Sequence, residues 1–130
     1  MFAKIMFVLH VLRRGDGVRV QLAGQQRHFG DLLQHGGVVN RLMDTVGTTY
    51  IGSMYYYKDD GDETAYENAY TIANDMSALG FNLDFAPVAD VWSNPDNTVI
   101  GERAYSDDYA QAAELVGNAV KGFNDGGVMC

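Results

Sequence analysis

Three kinds of side chain in this 130-residue sequence have types and spacings that bear on chemistry. Asp59-Asp60-Gly61-Asp62-Glu63 crowds four carboxylates into five positions, a density that invites a hard cation. A calcium loop, however, spaces oxygen ligands at alternate positions through about 12 residues and closes on Glu. The cluster therefore reads as an acidic turn before a helix N-terminus, where the helix dipole favours negative charge. Tyr55-Tyr56-Tyr57 and Trp92 offer aromatic faces on which a ring-shaped ligand can stack. Packing is the expectation for the tyrosines, whereas stacking and packing weigh equally for Trp92. His10, His28 and His35 stand 18 and 7 residues apart with no cysteine nearby, a spacing that makes no metal set. Neither a metal nor a cofactor is expected, and Gly15-Asp16-Gly17 is too short to cradle a phosphate. Lone arginines such as Arg41 and Arg103 read first as surface ion pairs, with Asp90 a carboxylate placed to orient Arg103.

Periodicity supplies the elements that must position these residues. Thr64-Ala65-Tyr66-Glu67 fits a capping box, and Ala65, Ala69, Ile72, Ala73, Met76 and Leu79 follow at helical spacing. Gly80 is the expected left-handed residue ending that helix. Phe81 to Ala86 alternates with period 2, placing Phe81, Leu83 and Phe85 on one face of a strand and Asn82, Asp84 and Ala86 on the other, until Pro87 stops it. Two readings of the polar face stay open: it lines a site or a polar barrel interior, or it is the solvated face of an edge strand. A loop then runs from Ala89 to about Ala104; it contains Trp92 and Ile100 and is expected to be ordered. A second helix is predicted from Ser106-Asp107-Asp108, with the stripe Tyr109, Ala112, Ala113, Val116, Val120 and Phe123, ending at 124–127. Val128-Met129-Cys130 opens another apolar run. This rhythm predicts the α/β class, with parallel strands covered by helices.

Composition narrows the partners. Seventeen carboxylates against nine Lys and Arg give a net charge of −8, which disfavours nucleic acid and acidic membrane surfaces, and 47% hydrophobic content suits a globular domain. The charge is uneven, with six basic against three acidic side chains in residues 1–47 and three against fourteen in 48–130. The longest apolar run, Ile5 to Leu12, is far shorter than the ~20 residues of a membrane span. Arg13-Arg14 follow it where a small-residue cleavage site belongs, so no signal peptide is predicted, and the sequence does not choose between a cytoplasmic and a secreted protein. Cys130, the one cysteine, makes no internal disulfide.

Gly36-Gly37-Val38-Val39-Asn40-Arg41-Leu42, the run LGFNLDFAPVADV from Leu79 to Val91, Asn94-Pro95 and Ile100-Gly101-Glu102-Arg103 together resemble the catalytic barrel of glycoside hydrolase family 3, of the β-N-acetylhexosaminidase type. The resemblance covers residues 36–130; residues 1–35 are unmatched and read as a rearranged or frame-shifted start. It implies a (β/α)₈ TIM barrel of which this chain is roughly the N-terminal half, since such barrels take about 250 residues. It also implies hydrolysis of terminal β-linked N-acetylglucosamine through a covalent glycosyl–aspartate, with a β-linked amino-sugar glycoside or oligosaccharide as substrate. Arg103 and Arg41 fall at the family's sugar-binding arginines, and Asp90 and Trp92 are assigned to the same site. Leu33 stands where the family has an aspartate that accepts sugar hydroxyls, a loss of roughly 1.5–3 kcal/mol of contact. The acid/base histidine and the nucleophilic aspartate are expected beyond Cys130, so no catalytic pair is expected within the chain. Two alternatives remain: a non-catalytic fragment that binds sugars or a partner chain, with self-association through exposed strand edges, or a β-glucosidase-like member of the same family.

Overall fold

A computed structural model describes residues 9–14, 17–22, 47–79 and 81–130. Arg41, Leu33, His28, His35 and Gly80 lie outside the described residues. β1 (Leu9–Arg14) and β2 (Gly17–Leu22) form an antiparallel pair in register from Leu9↔Leu22 to Arg14↔Gly17. Both strands fall in the stretch that the sequence comparison leaves unmatched.

The remaining described chain is built on helices. A 3₁₀ turn, Met54–Tyr56, leads into the short α1 (Tyr57–Asp60), and Gly61 then reverses the chain into α2 (Asp62–Ala78). Gly61 has φ 107°, a left-handed conformation that costs a side-chain-bearing residue dearly. The expected capping box is not formed: α2 starts two residues before Thr64, and its N-cap is Gly61, without a side-chain cap. Asp62 and Glu63 occupy the first turn instead, where their charges oppose the exposed N–H groups. The predicted stripe holds, with Ala65, Ala69, Ile72, Ala73 and Met76 all buried.

α3 (Tyr109–Asp125) begins at an N-cap that the sequence announces, Asp108, whose carboxylate accepts from the Gln111 N–H at 2.9 Å. Its buried face matches the expected stripe in part, with Ala112 and Phe123 buried and Val116 packed on the core. Ala112, Leu115, Ala119, Gly122 and Phe123 face inward, while Tyr109 is 71% exposed and Ala113 is also exposed. The helix rolls toward its small residues because α2 approaches so closely there. A Cβ at Gly122 would run into the Tyr66 carbonyl and lie 3.0 Å from both Ala69 Cβ and Tyr70 N.

Both helices return the chain to the core by the same device. Phe81 N–H reaches back to the Met76 carbonyl at 2.9 Å, and Val128 N–H to the Phe123 carbonyl at 3.0 Å, the long bond of a Schellman ending. In the second case Gly127, at φ 81°, is the left-handed residue and bonds the Asn124 carbonyl at 3.0 Å. Phe81 and Val128 are thereby buried, and the next residues run side by side. Asp84 N–H donates to the Met129 carbonyl at 2.8 Å and Met129 N–H to the Asn82 carbonyl at 3.0 Å, making a parallel bridge at Leu83↔Met129. A second parallel bridge joins Val91 and Ser106. Among the described residues the predicted strand 81–86 is an extended segment joined to its neighbour by one parallel bridge. Asp84 and Ala86, predicted to share a face, are both buried, at 2% and 7%, whereas Phe85 on the other face is 51% exposed. Burial of Asp84 excludes the solvated-face reading for this residue. The core between the helices and these segments gathers Met54, Tyr57, Leu115, Phe123 and Val128. Among the described residues no helix is long and apolar enough to cross a membrane.

Candidate functional site

Arg103 closes a 3₁₀ turn, Gly101–Arg103, in the connection that leaves the Val91 bridge and returns at Ser106. The connection is ordered by its own backbone and by short polar side chains. Asn94 Oδ1 accepts from Asp96 N–H at 3.0 Å, Asn97 Oδ1 accepts from Val99 N–H at 3.2 Å, and Asn97 N–H donates to the Asn94 carbonyl at 3.0 Å. Arg103 folds onto the same connection. Its Nε donates to the Ile100 carbonyl at 3.4 Å and its Nη2 to the Val99 carbonyl. A guanidinium has five N–H donors, so these two bonds leave three for which no partner is seen among the described residues. No carboxylate among the described residues forms an ion pair with Arg103.

Four contacts, at three places, fasten this connection to the segment 53–58. At its start, Trp92 packs edge-to-face on Tyr55, with centroids 5.1 Å apart at 75°. In its middle, Ser53 Oγ donates to Glu102 Oε2 at 3.0 Å and Tyr56 Oη to Glu102 Oε1 at 2.9 Å. At its end, Lys58 Nζ bonds Asp107 Oδ1 at 2.9 Å while lying 3.8 Å over the centre of the Tyr55 ring. The bond from Lys58 and its positive charge hold the Asp107 carboxyl below its usual range, and the same bond, with help from Tyr55, pushes Lys58 up to about 12. The hydrogen bond to Glu102, and then its charge, raise the Tyr56 hydroxyl. Tyr57 and Tyr105, packed edge-to-face with centroids 6.1 Å apart, are pushed up by burial.

The sequence-predicted residues are distributed as follows. Arg103 and Trp92 lie in one connection; Asp90 is exposed at its beginning, and no hydrogen bond or ion pair joins it to Arg103 among the described residues. Trp92 is half-buried, and its Nε1, itself buried, meets no acceptor among the described residues. Arg41 lies outside the described residues. The three consecutive tyrosines do three different things. Tyr57 is buried and donates to the Ile51 carbonyl at 2.9 Å, Tyr55 links Trp92 and Lys58, and Tyr56 is exposed and bonded to Glu102. Ser53 and Glu102 have partners 49 residues apart in the chain, which no local spacing signals. Beneath, Asp84 is buried near Cys130, whose thiol is pushed up by burial and then by the Asp84 charge. Among the described residues no group of three His, Cys, Asp or Glu side chains is arranged to hold a metal ion. The arrangement offers a fork of donors fixed on the same connection that carries Trp92, which suits holding a polar ligand.

Comparison with known proteins adds to this geometry. The glycosyl hydrolase family 3 N-terminal domain matches residues 30–130. "Beta-hexosaminidase A" of Pseudoalteromonas piscicida is 36% identical over 99 residues, covering 74% of this chain and 17% of that protein. "Beta-hexosaminidase LpqI" of Mycobacterium tuberculosis is 33% identical over 96 residues, covering 74% of this chain and 25% of that protein. The solved structure of a glycoside hydrolase family 3 β-N-acetylglucosaminidase from Paenibacillus superposes with a TM-score of 0.68 at 42% identity, over 74% of this chain and 18% of that one. The chain therefore spans a quarter or less of the length of these relatives.

Proposed function

The chain belongs to glycosyl hydrolase family 3, with the fold of its (β/α) barrel domain, and on that footing we propose that it is the sugar-holding, roughly N-terminal half of the barrel of a β-N-acetylhexosaminidase. The whole protein releases terminal β-linked N-acetylglucosamine; this part supplies Arg103 and Arg41 as sugar-binding residues, with Trp92 and Asp90 at the same rim. One observation carries the reading. The turn bearing Arg103 follows the extended segment 88–92, which is paired in parallel at Val91↔Ser106, and active sites of such barrels are built from the loops that follow their strands. Three guanidinium N–H groups left over from the loop's own bonds suit a ligand rich in hydroxyl and carbonyl oxygens. The acid/base histidine and the nucleophilic aspartate belong to the remainder of the whole protein, and this chain holds no catalytic pair.

A chimera tests the proposal. Residues 47–130 of this chain replace the matching segment of a whole family 3 β-hexosaminidase, and release of nitrophenol is measured from the N-acetyl-β-glucosaminide and from the β-glucoside. A folded chimera that prefers the N-acetyl substrate supports the reading. A folded chimera that is inactive, or that prefers the glucoside, contradicts it.

A further inference from the structure

Among the described residues Arg103 reaches only the carbonyls of its own loop, Val99 and Ile100. Its guanidinium therefore travels with that loop, and whatever fixes the loop fixes the arginine. The ends of the connection are held by Trp92 on Tyr55 and by Asp107 on Lys58. Its middle is held one residue before the arginine. Both oxygens of Glu102 are used, each by a different hydroxyl: Oε2 accepts from Ser53 at 3.0 Å and Oε1 from Tyr56 at 2.9 Å. Hydrogen bonds to an ionised carboxylate are about twice as strong as neutral ones, and two divergent ones fix orientation as well as distance. Ser53 and Tyr56 are the N-cap and the last residue of one 3₁₀ turn, so the carboxylate grips a single small unit. Tyr56 is 52% exposed, so burial alone does not account for where its hydroxyl points. Glu102 and Arg103 share the second 3₁₀ turn, whose tight winding sets consecutive side chains about 120° apart. A side chain clamped at 102 thus dictates the direction in which 103 leaves the backbone.

We propose that Glu102 is the positioning residue for Arg103, setting, with Ser53 and Tyr56, the height and direction of the arginine over its ligand. The inference rests on the reading of Arg103 as a sugar-binding residue. Glu102 touches no ligand in this scheme; it acts through its neighbour.

The test uses the ¹⁵N-labelled chain and two readouts: the Arg103 Nε–Hε resonance and the affinity for N-acetylglucosamine. The variants are Glu102→Ala, the double Ser53→Ala with Tyr56→Phe, and Glu102→Gln. The first two are expected to move the Arg103 resonance toward the value of a solvated arginine and to weaken N-acetylglucosamine about tenfold. Glu102→Gln, which keeps one acceptor oxygen, falls between them and the unsubstituted chain. Unchanged α3 amide resonances report an intact fold. Should Glu102→Ala disturb them, the double variant, which leaves the carboxylate in place and removes only its donors, decides the matter. An Arg103 resonance that stays put in every variant overturns the proposal, whatever the sugar does. A moved resonance with unchanged affinity also overturns it, provided Arg103→Ala weakens binding. Arg103→Ala is the separate arm: if it leaves the affinity unchanged, the sugar reading of Arg103 fails while the resonance still decides the tether.

Discussion

Two glycines of α3 make opposite predictions from the same substitution. A Cβ at Gly117 meets nothing within 4 Å, whereas one at Gly122 would run into the Tyr66 carbonyl and sit 3.0 Å from Ala69 Cβ and Tyr70 N. Glycine in a helix interior costs roughly 0.5–1 kcal/mol relative to alanine, so Gly117→Ala should stabilise the chain by about that much. The same gain applies at 122, but there it is set against overpacking of roughly 1–3 kcal/mol. Two of the three opposing atoms at 122 are backbone, so no rotamer change relieves the clash and α2 and α3 must move apart. The expected net is a loss of roughly 0.5–2 kcal/mol, and the two variants diverge by about 2 kcal/mol. Urea unfolding followed by far-UV circular dichroism reads both, with equal slopes required for comparison. Gly122→Ala as stable as the unsubstituted chain, or more so, would refute the close α2–α3 approach.

Other consequences follow from particular contacts. Leu115, at 0% exposure in α3, should cost roughly 2–5 kcal/mol when replaced by Ala, measured by the same urea titration. The Lys58–Asp107 pair predicts a pH window. Lys58, raised from 10.5 to about 12, contributes fully below 10.5 and loses its contribution as pH rises through about 12. Asp107, lowered from 3.8, contributes fully above 3.8 and loses its contribution as pH falls through its folded value. Asp107→Asn should therefore lower the thermal midpoint slightly and evenly between about pH 4 and 10.5, less so at high salt, and the difference should close outside that window. A purified chain should not turn over a chromogenic N-acetyl-β-glucosaminide; turnover that is lost on Arg103→Ala would count against the assignment of the catalytic pair to the rest of the protein.

What the sequence made legible is local. The α2 stripe from Ala65 to Met76 is pure 3.6-residue periodicity, and Asp108 before α3 is a cap that acts on the residue three positions on. The parallel setting of 83 beside 129 follows from a helix intervening between them, since a crossover is what parallel pairing requires. Misreadings arose where backbone conformation or a contact across the fold decides. Thr64 has good cap chemistry, yet Gly61 at φ 107° starts the helix earlier. Tyr109 and Ala113 fit a helical stripe, but the close contact at Gly122 turns α3 toward Leu115 and Ala119. Arg103 came from a family motif; Glu102, its neighbour, did not stand out, because its partners Ser53 and Tyr56 lie 49 and 46 residues upstream.

If the proposal is right, the Arg103 turn holds an N-acetylated sugar. Ligand-detected NMR on the chain, with N-acetylglucosamine and glucose compared at equal concentration, tests it most directly. Saturable binding of N-acetylglucosamine in preference to glucose is expected, weakened at least tenfold in Arg103→Ala. Binding that is absent, that fails to distinguish the two sugars, or that survives Arg103→Ala unchanged would contradict it.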